Sequence, residues 1–349
     1  MKDFCVIVVV KHEEAMKSRL PAAFHKILGR RVIDYMLINL AEMKPNKIFV
    51  LIEEKYLFHM DKTPVEVVCK TAESTTVEDI KAEYGGDADF AVIEGMLPRI
   101  NRFDVLSIMK GEGYRYLHSV PIEDRFGICL EINVLIGSQI NQKHQRNGVT
   151  LIASNNTYIG PDVKIGMDTL IYPGAIIEGD TTIGENCIIG KGCRLVDMKI
   201  GDGVEIWDST CLESEIGDGS SVGPYAYLRP GSQIGKNCKI GDFVEVKNAT
   251  MGDGSKASHL SYIGDATIGE NVNIGCGAIT VNYDGKVKSR TVVEDDAFIG
   301  CNTNLIAPVT VGKGAYTAAG STINKDVPPD ALGIARARQE NKENWMKNR

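Results

Sequence analysis

A parallel β-helix behind a smaller α/β region is the fold class this sequence predicts, on three observations. Aliphatic residues recur every six positions over nearly half the chain, many of them stand directly before a glycine, and the first 135 or so residues lack the pattern. The frame runs through Ile159, Ile165, Ile171, Ile177, Ile183, Ile189 and Leu195, then shifts to Ile200, Ile206 and Leu212. It continues through Ile216, Val222, Leu228, Ile234, Ile240 and Val246, then through Ile268 and Ile274, and finally through Val293, Ile299, Leu305, Val311 and Ile323. An amphipathic helix repeats at about 3.6 residues and a strand at 2. A period of six instead fits a triangular prism in which each face takes about six residues and each coil about 18. One aliphatic per face points inward. Small residues such as Val163, Cys187 and Ser220 fill the remaining interior, and Gly or Asn takes corners where φ is positive. From Ile159 to Asp326 this gives about nine coils and, at ~4.8 Å per coil, a prism on the order of 40 Å long.

The domain boundaries follow. Residues 1–147 are expected to form an α/β domain with a linker, 148–330 the β-helix and 331–349 a tail. In the first part, apolar runs Phe4–Val10 and Lys47–Ile52 flank a helical stretch at Val32–Met43. The chain has 349 residues and a net charge of -7, a sign that argues against non-specific nucleic-acid binding. No stretch approaches the ~20 apolar residues of a membrane span, and the run Phe4–Val10 stops at Lys11-His12-Glu13-Glu14, which is no secretory signal; a cytoplasmic protein is expected. The nine cysteines include no C-x-x-C pair, and Cys187, Cys193 and Cys238 each follow a repeat isoleucine by four positions. They read as reduced core residues rather than ligands or disulfides.

A repeat array alone also fits a structural rod. Its frame breaks, at Met251–Ile268 and Thr280–Val293, carry polar and chemically varied residues, as expected of loops that bear a site on a rigid scaffold. His259, alone among the six histidines, lies in the repeat region, at the first break. A lone histidine is more often a satisfied surface or core residue than a base, and its neighbours are what shift that balance. Arg229 and Lys247 stand about one coil apart, so they stack along the prism, and stacked cations without matched acids suit an anion such as phosphate. Asn282-Tyr283-Asp284-Gly285 is a turn signal that predicts a projecting loop tip. No cluster of His, Cys and Asp has metal-ligand spacing.

From Tyr227 to Gln339 the chain resembles the acetyltransferase domain of the bacterial bifunctional N-acetylglucosamine-1-phosphate uridylyltransferase and glucosamine-1-phosphate N-acetyltransferase family. The segments LRPGSQIGKNCKIGDFVEVKNA, GSKASHLSYIGDATIGENVNIGCGAITVNYDG, APVTVGKGAYTAAGSTINKDV and ALGIARARQ carry the resemblance, and the weaker array from Gly148 to Gly223 fits the family's earlier coils. The resemblance implies a left-handed β-helix, a homotrimer with its site at a seam between prisms, and acetyl-CoA as co-substrate without a metal. It implies acetyl transfer to the amine of glucosamine 1-phosphate, in UDP-N-acetylglucosamine and peptidoglycan precursor synthesis. His259 would then be the general base, with Asn282 and Glu245 orienting it. Arg229 and Lys247 would hold the sugar phosphate, Tyr262 and Asn273 the sugar, and Lys288 would close over the phosphate. Cys276, Asn282, Tyr283, Cys301, Ala319 and Arg336 would contact acetyl-CoA. Cys276 replaces a small residue of the family pattern and Cys301 a serine, which exchanges a hydroxyl donor for a weaker thiol. Another amino sugar, nucleotide-linked included, and a non-catalytic trimeric scaffold partnering a separate uridylyltransferase are the competing readings.

The first 135 residues resemble a degraded and shortened nucleotidyltransferase domain of the same family. Lys11-His12-Glu13-Glu14 stands where a glycine-rich phosphate loop is expected, Ala22 where a lysine is, and Met96 where a metal-binding aspartate is; Asn133 matches a second metal position. Without glycines the backbone cannot approach a triphosphate, and the two glutamates repel one. The region is therefore expected to be inactive.

Overall fold

The computed structural model describes residues 3–13, 16–84, 88–111, 122 and 124–348, and the chain divides into two compact units. In the first, the apolar runs form strands Phe4–Val9 and Lys47–Ile52, which with Val68–Thr71 and Asp89–Glu94 make a four-stranded parallel sheet. Phe4–Val9 lies between Lys47–Ile52 and Asp89–Glu94. Parallel strands require crossovers that cover both faces, so their sequences are almost continuously apolar. Helix Val32–Glu42 buries Val32, Ile33, Met36, Leu37 and Leu40 against Val6, Val8 and Val50, while Ile7, Phe49 and Ile80 fill a smaller cluster.

The second unit is the left-handed parallel β-helix that the six-residue period and the resemblance led us to expect. Its three faces are parallel sheets of 11, 10 and 9 short strands. The first face begins at Thr150–Leu151 and ends at Leu332–Gly333, so the coils start before Ile159 and run past residue 330. Gly333 carries no aliphatic side chain to mark the period there.

The period works as the burial pattern requires. Ile189, Ile206, Val222 and Ile240 stack inward on the first face, Leu195, Cys211, Leu228 and Val246 on the second, and Ile200, Ile216, Ile234 and Met251 on the third. Polar interior positions such as Ser220 are satisfied across coils, its Oγ donating to the Gly235 carbonyl at 2.8 Å and accepting from the Cys238 amide at 2.9 Å, whereas the buried Thr291 Oγ1 has no partner among the described residues. Cys187 and Cys238 donate to the Gly201 and Gly252 carbonyls at 3.1 Å, and burial pushes the Cys193 thiol up to about 11. The expectation of core cysteines therefore describes Cys5, Cys187, Cys193, Cys211 and Cys238, whereas Cys69 is half-buried and Cys129, Cys276 and Cys301 are exposed.

Of the two frame breaks, one is a loop. Between Met251 and Ile268 the chain makes an ordinary coil, with Ala257 and Ile263 pointing inward; alanine at a position usually aliphatic hid the frame. The second break does project. Asp284 accepts from the Lys286 and Val287 amides at 2.8 and 2.7 Å, Tyr283 and Lys288 bridge antiparallel, and Gly285 takes φ +96° at the tip.

Close stacking makes some glycines steric necessities. A Cβ on Gly241 would run into the Ser258 carbonyl oxygen of the next coil, whereas Gly203 faces open space and is constrained only by φ +65°. Gly241→Ala should therefore lower the thermal midpoint far more than Gly203→Ala, for which the left-handed conformation alone costs about 1–2 kcal/mol; equal shifts in a melting experiment would contradict this packing.

Candidate active site

The site residues fall at two corners of the prism, one at each end of the second-face strand Tyr262–Gly264. On this face Glu245 and Tyr262 open their strands as register neighbours on adjacent coils, and Lys247 pairs with Gly264 at the end that leads into the following corner. Arg229 donates to Glu245 at 2.8 Å and lies 5.9 Å over the Tyr227 ring. Lys247 approaches Asp265 at 4.0 Å. Asp265 is the hub. It accepts from the Asn248 amide at 2.6 Å and from the Asn282 amide, and although burial pushes its carboxyl upward, those two amides and the lysines hold it below the usual range. Gly264 gives the Tyr262 ring its place, since a Cβ there would meet the ring and its hydroxyl.

The stacked cations thus do have matched acids, which corrects the premise that they lack them. Positive charge remains all the same. Lys288, brought in by the projecting loop, sits against Lys247, and that ammonium holds the Lys288 pKa below the ordinary lysine value, with Asp265 acting the other way. Two ammonium groups and a guanidinium at one corner make a place for a dianion.

The corner before the strand is built around His259, the last residue of first-face strand Lys256–His259. Its register partner on the preceding coil is Asp242, whose Oδ1 lies 2.5 Å from Nδ1. The hydrogen bond to His259 holds the Asp242 carboxyl below its ordinary range. A carboxylate at Nδ1 favours the tautomer that carries its proton there, which leaves the Nε2 lone pair free. Neither Glu245 nor Asn282 touches His259 in the chain. Both are engaged at the other corner, by Arg229 and Asp265.

Continuing along the prism from His259, the same turn position is held by Cys276, Cys301 and Ala319. The first-face register sets this line, since Asn273 pairs with Lys256 and Phe298, and Phe298 with Tyr316. The amide of Leu260 donates to Asp242, Gly277 to Leu260, Asn302 to Cys276 and Gly320 to Cys301, at 2.7–2.9 Å. Beyond Ala319, the side chain of Arg336 passes Gly320. Residues spread over 94 positions of sequence, Asp242 to Arg336, therefore form one straight line.

Two expected residues stand apart. Asn273 opens its first-face strand, at the corner remote from Tyr262, and Tyr283 sits on the projecting loop, about half exposed, with its hydroxyl donating to the Gly285 carbonyl at 2.7 Å.

In the first unit, the segment read as a lost phosphate loop is filled by its own side chains. Glu13 accepts from the Ala22 amide at 3.0 Å, Lys11 pairs with Glu94 at 2.6 Å, and Met96 is fully buried with its carbonyl accepting from Ile122. Burial raises the Glu13 pKa. Glu14 lies outside the described residues, and Asn133 falls in the helical stretch Cys129–Ile136. Among the described residues, no three of His, Cys, Asp and Glu are grouped to hold a metal, and no helix is long and apolar enough to cross a membrane.

Asp242→Ala should leave the His259 Nδ1 proton without a fixed acceptor, so ¹⁵N imidazole spectra should change from Nδ1-protonated to a mixture of tautomers; an unchanged spectrum would remove Asp242 from the site. Because the Asp242 pKa is depressed in the fold, its bond to His259 is present above the ordinary carboxylate range and lost as pH falls through the depressed value.

The family "Bacterial transferase hexapeptide (six repeats)" matches residues 162–196, 213–248 and 290–325. The protein named bifunctional protein GlmU of Geobacillus sp. (strain WCH70) is 55% identical over 251 residues, 70% of this chain and 54% of that protein. Its namesake in Clostridioides difficile (strain 630) is 52% identical over 253 residues, 70% and 55% of the two chains. A solved UDP-N-acetylglucosamine acyltransferase of Francisella novicida gives a TM-score of 0.38 at 19% identity, covering 53% of this chain and 67% of that one. The chain spans about half the length of the curated relatives it matches. Three stretches of the chain thus match the hexapeptide-repeat transferase family, and over about 70% of its length the chain is similar to the bifunctional GlmU proteins at more than half identity.

Proposed function

We propose that the β-helix is an N-acetyltransferase that moves acetyl from acetyl-CoA to the amine of glucosamine 1-phosphate. The observation that carries this reading is the line Asp242–His259–Cys276–Cys301–Ala319, with a base at one end and an open path of small residues beside it. Acyl transfer to an amine needs that arrangement. Nε2 of His259 removes the amine proton as nitrogen attacks the thioester carbonyl, and the imidazolium returns a proton to the departing thiolate. Asp242, by fixing the proton on Nδ1, keeps Nε2 ready and steadies the imidazolium. Arg229, Lys247 and Lys288 receive the phosphate, Tyr262 the sugar. Cys276, Cys301, Ala319 and Arg336 line the path of the acyl carrier.

Asn273 and Tyr283 join this scheme only if prisms associate. Asn273 faces away from Tyr262 within one chain, and the loop of Tyr283 projects outward. A homotrimer that sets one prism's loop against the next prism's corner gathers both. Static light scattering should give three times the chain mass; a monomer with full activity would sink the seam.

His259→Ala should reduce kcat by at least about 10², the ordinary worth of a general base, while thermal stability stays unchanged because the ring is exposed. Arg229→Ala and Lys247→Ala should raise KM for the phosphorylated sugar and spare acetyl-CoA. Thiol release in an assay of purified protein with glucosamine 1-phosphate tests the whole reading: acceleration by a different amino sugar favours the nucleotide-linked alternative, and no release at all favours a scaffold.

The α/β unit is inactive in this proposal, in support of which Glu13 occupies the Ala22 amide and Met96 replaces a carboxylate. With UTP, Mg²⁺ and N-acetylglucosamine 1-phosphate the protein should release no pyrophosphate above background; formation of the nucleotide sugar would show a diverged rather than a lost site.

A further inference from the structure

Two of the chain's exposed thiols, Cys276 and Cys301, occupy the same turn position on successive coils. The Asn302 amide donates to the Cys276 carbonyl at 2.7 Å, which ties the two turns in register. Neighbouring parallel strands lie about 4.7–4.9 Å apart, inside the ~4.4–6.8 Å window of Cα separations that disulfides span. Parallel side chains at that spacing need their Cβ atoms drawn together by about 1 Å to reach the ~3.8 Å of a typical disulfide. A turn residue on the prism surface can make that adjustment without disturbing the stacked interior. The remaining thiols of the β-helix differ: Cys187, Cys193, Cys211 and Cys238 are buried, and burial raises their pKa values, which withdraws them from exchange.

We propose that Cys276 and Cys301 are a reversible dithiol site that reacts with low-molecular-weight disulfides of the glutathione class. One cysteine, as thiolate, attacks the small disulfide R–S–S–R, forming a mixed disulfide and releasing one R–S⁻. The second cysteine gives its proton to solvent, attacks the protein sulfur of the mixed disulfide and expels the second R–S⁻. Two thiols are oxidised to Cys276–S–S–Cys301, and the small disulfide is reduced to two R–SH. The bond encloses the 25-residue coil from 276 to 301, projecting loop included. Its effect on the site rests on the function proposed above. The bond crosslinks the line between His259 and Ala319 where the acyl carrier passes, so the oxidised protein loses access to acetyl-CoA.

The experiment exposes the full-length protein to oxidised glutathione, blocks remaining thiols with iodoacetamide and maps tryptic peptides by mass spectrometry. Peptides 257–286 and 291–313 each hold one of the two cysteines and should appear linked, reverting on treatment with dithiothreitol. Cys276→Ser and Cys301→Ser should each abolish the linked species and Cys129→Ser should leave it. Glutathione adducts on both cysteines without a linked peptide, or linkage of either one to Cys129, would overturn the site. Calorimetry then compares acetyl-CoA affinity: at least about tenfold weaker binding after oxidation supports the blocked line, and equal affinity refutes it. A reduced protein that binds no acetyl-CoA while the linked peptide still forms refutes the acetyltransferase reading and leaves the dithiol site standing.

Discussion

Register between coils is the constraint on which everything else depends. Each backbone amide on a face donates to a carbonyl one coil away, so a side chain on one coil fixes what lies above and below it. Inward this produces columns of isoleucine, valine and leucine that exclude water. Outward it produces ladders whose members are far apart in sequence and in contact in space. Asp242 against His259, and Glu245 against Tyr262, are rungs of such ladders. Chemistry comes to a parallel β-helix by placing the right residue on the right rung.

The same rule explains why charges at the corner of Lys247 and Lys288 are poised rather than neutral. Along the prism, acids and bases alternate as ordinary pairs: Lys199 with Glu215 at 2.7 Å, Lys236 with Asp218 at 2.8 Å, Arg229 with Glu245 at 2.8 Å. Exposed pairs of this kind are screened by solvent and add little to stability. At Lys247 the alternation fails, because the loop adds Lys288 beside it while Asp265 is shared with two asparagines. The two lysines therefore repel each other with only a shared carboxylate between them, a conflict that a negative charge placed there would relieve.

The six-residue period made the prism, its corners and the projecting loop legible, because each depends on a residue type that has few other uses. Asp242 and Asp265 were not legible for the opposite reason. Both sit in Ile-Gly-Asp, and so do Asp202 and Asp218, whose carboxylates accept backbone amides at 2.8 and 3.1 Å, with Asp218 also pairing with the exposed Lys236. One triplet therefore serves as a structural turn on some coils and as the partner of His259 or of Asn248 and Asn282 on others, and only the neighbouring coil decides which. The Met251–Ile268 stretch misled for a similar reason, since Ala257 holds an inward place that its size conceals. In the first unit two of the four strands were clear from continuous apolar runs, whereas Val68–Thr71 carries none, and nothing in Glu13 itself announces that it caps the Ala22 amide.

Coil length offers a different lesson. The first-face partners Lys256 and Asn273 are 17 residues apart, Asn273 and Phe298 are 25, and Phe298 and Tyr316 are 18. The extra residues leave at a corner and return to it, and the next strand still pairs one step along. The prism is thus a ruler graduated in turns and indifferent to contour length. Material can be inserted at any corner as a side arm without moving the marks on either side, so a loop such as that at Asn282–Ser289 can be lengthened, shortened or exchanged for another without re-engineering the fold that holds it.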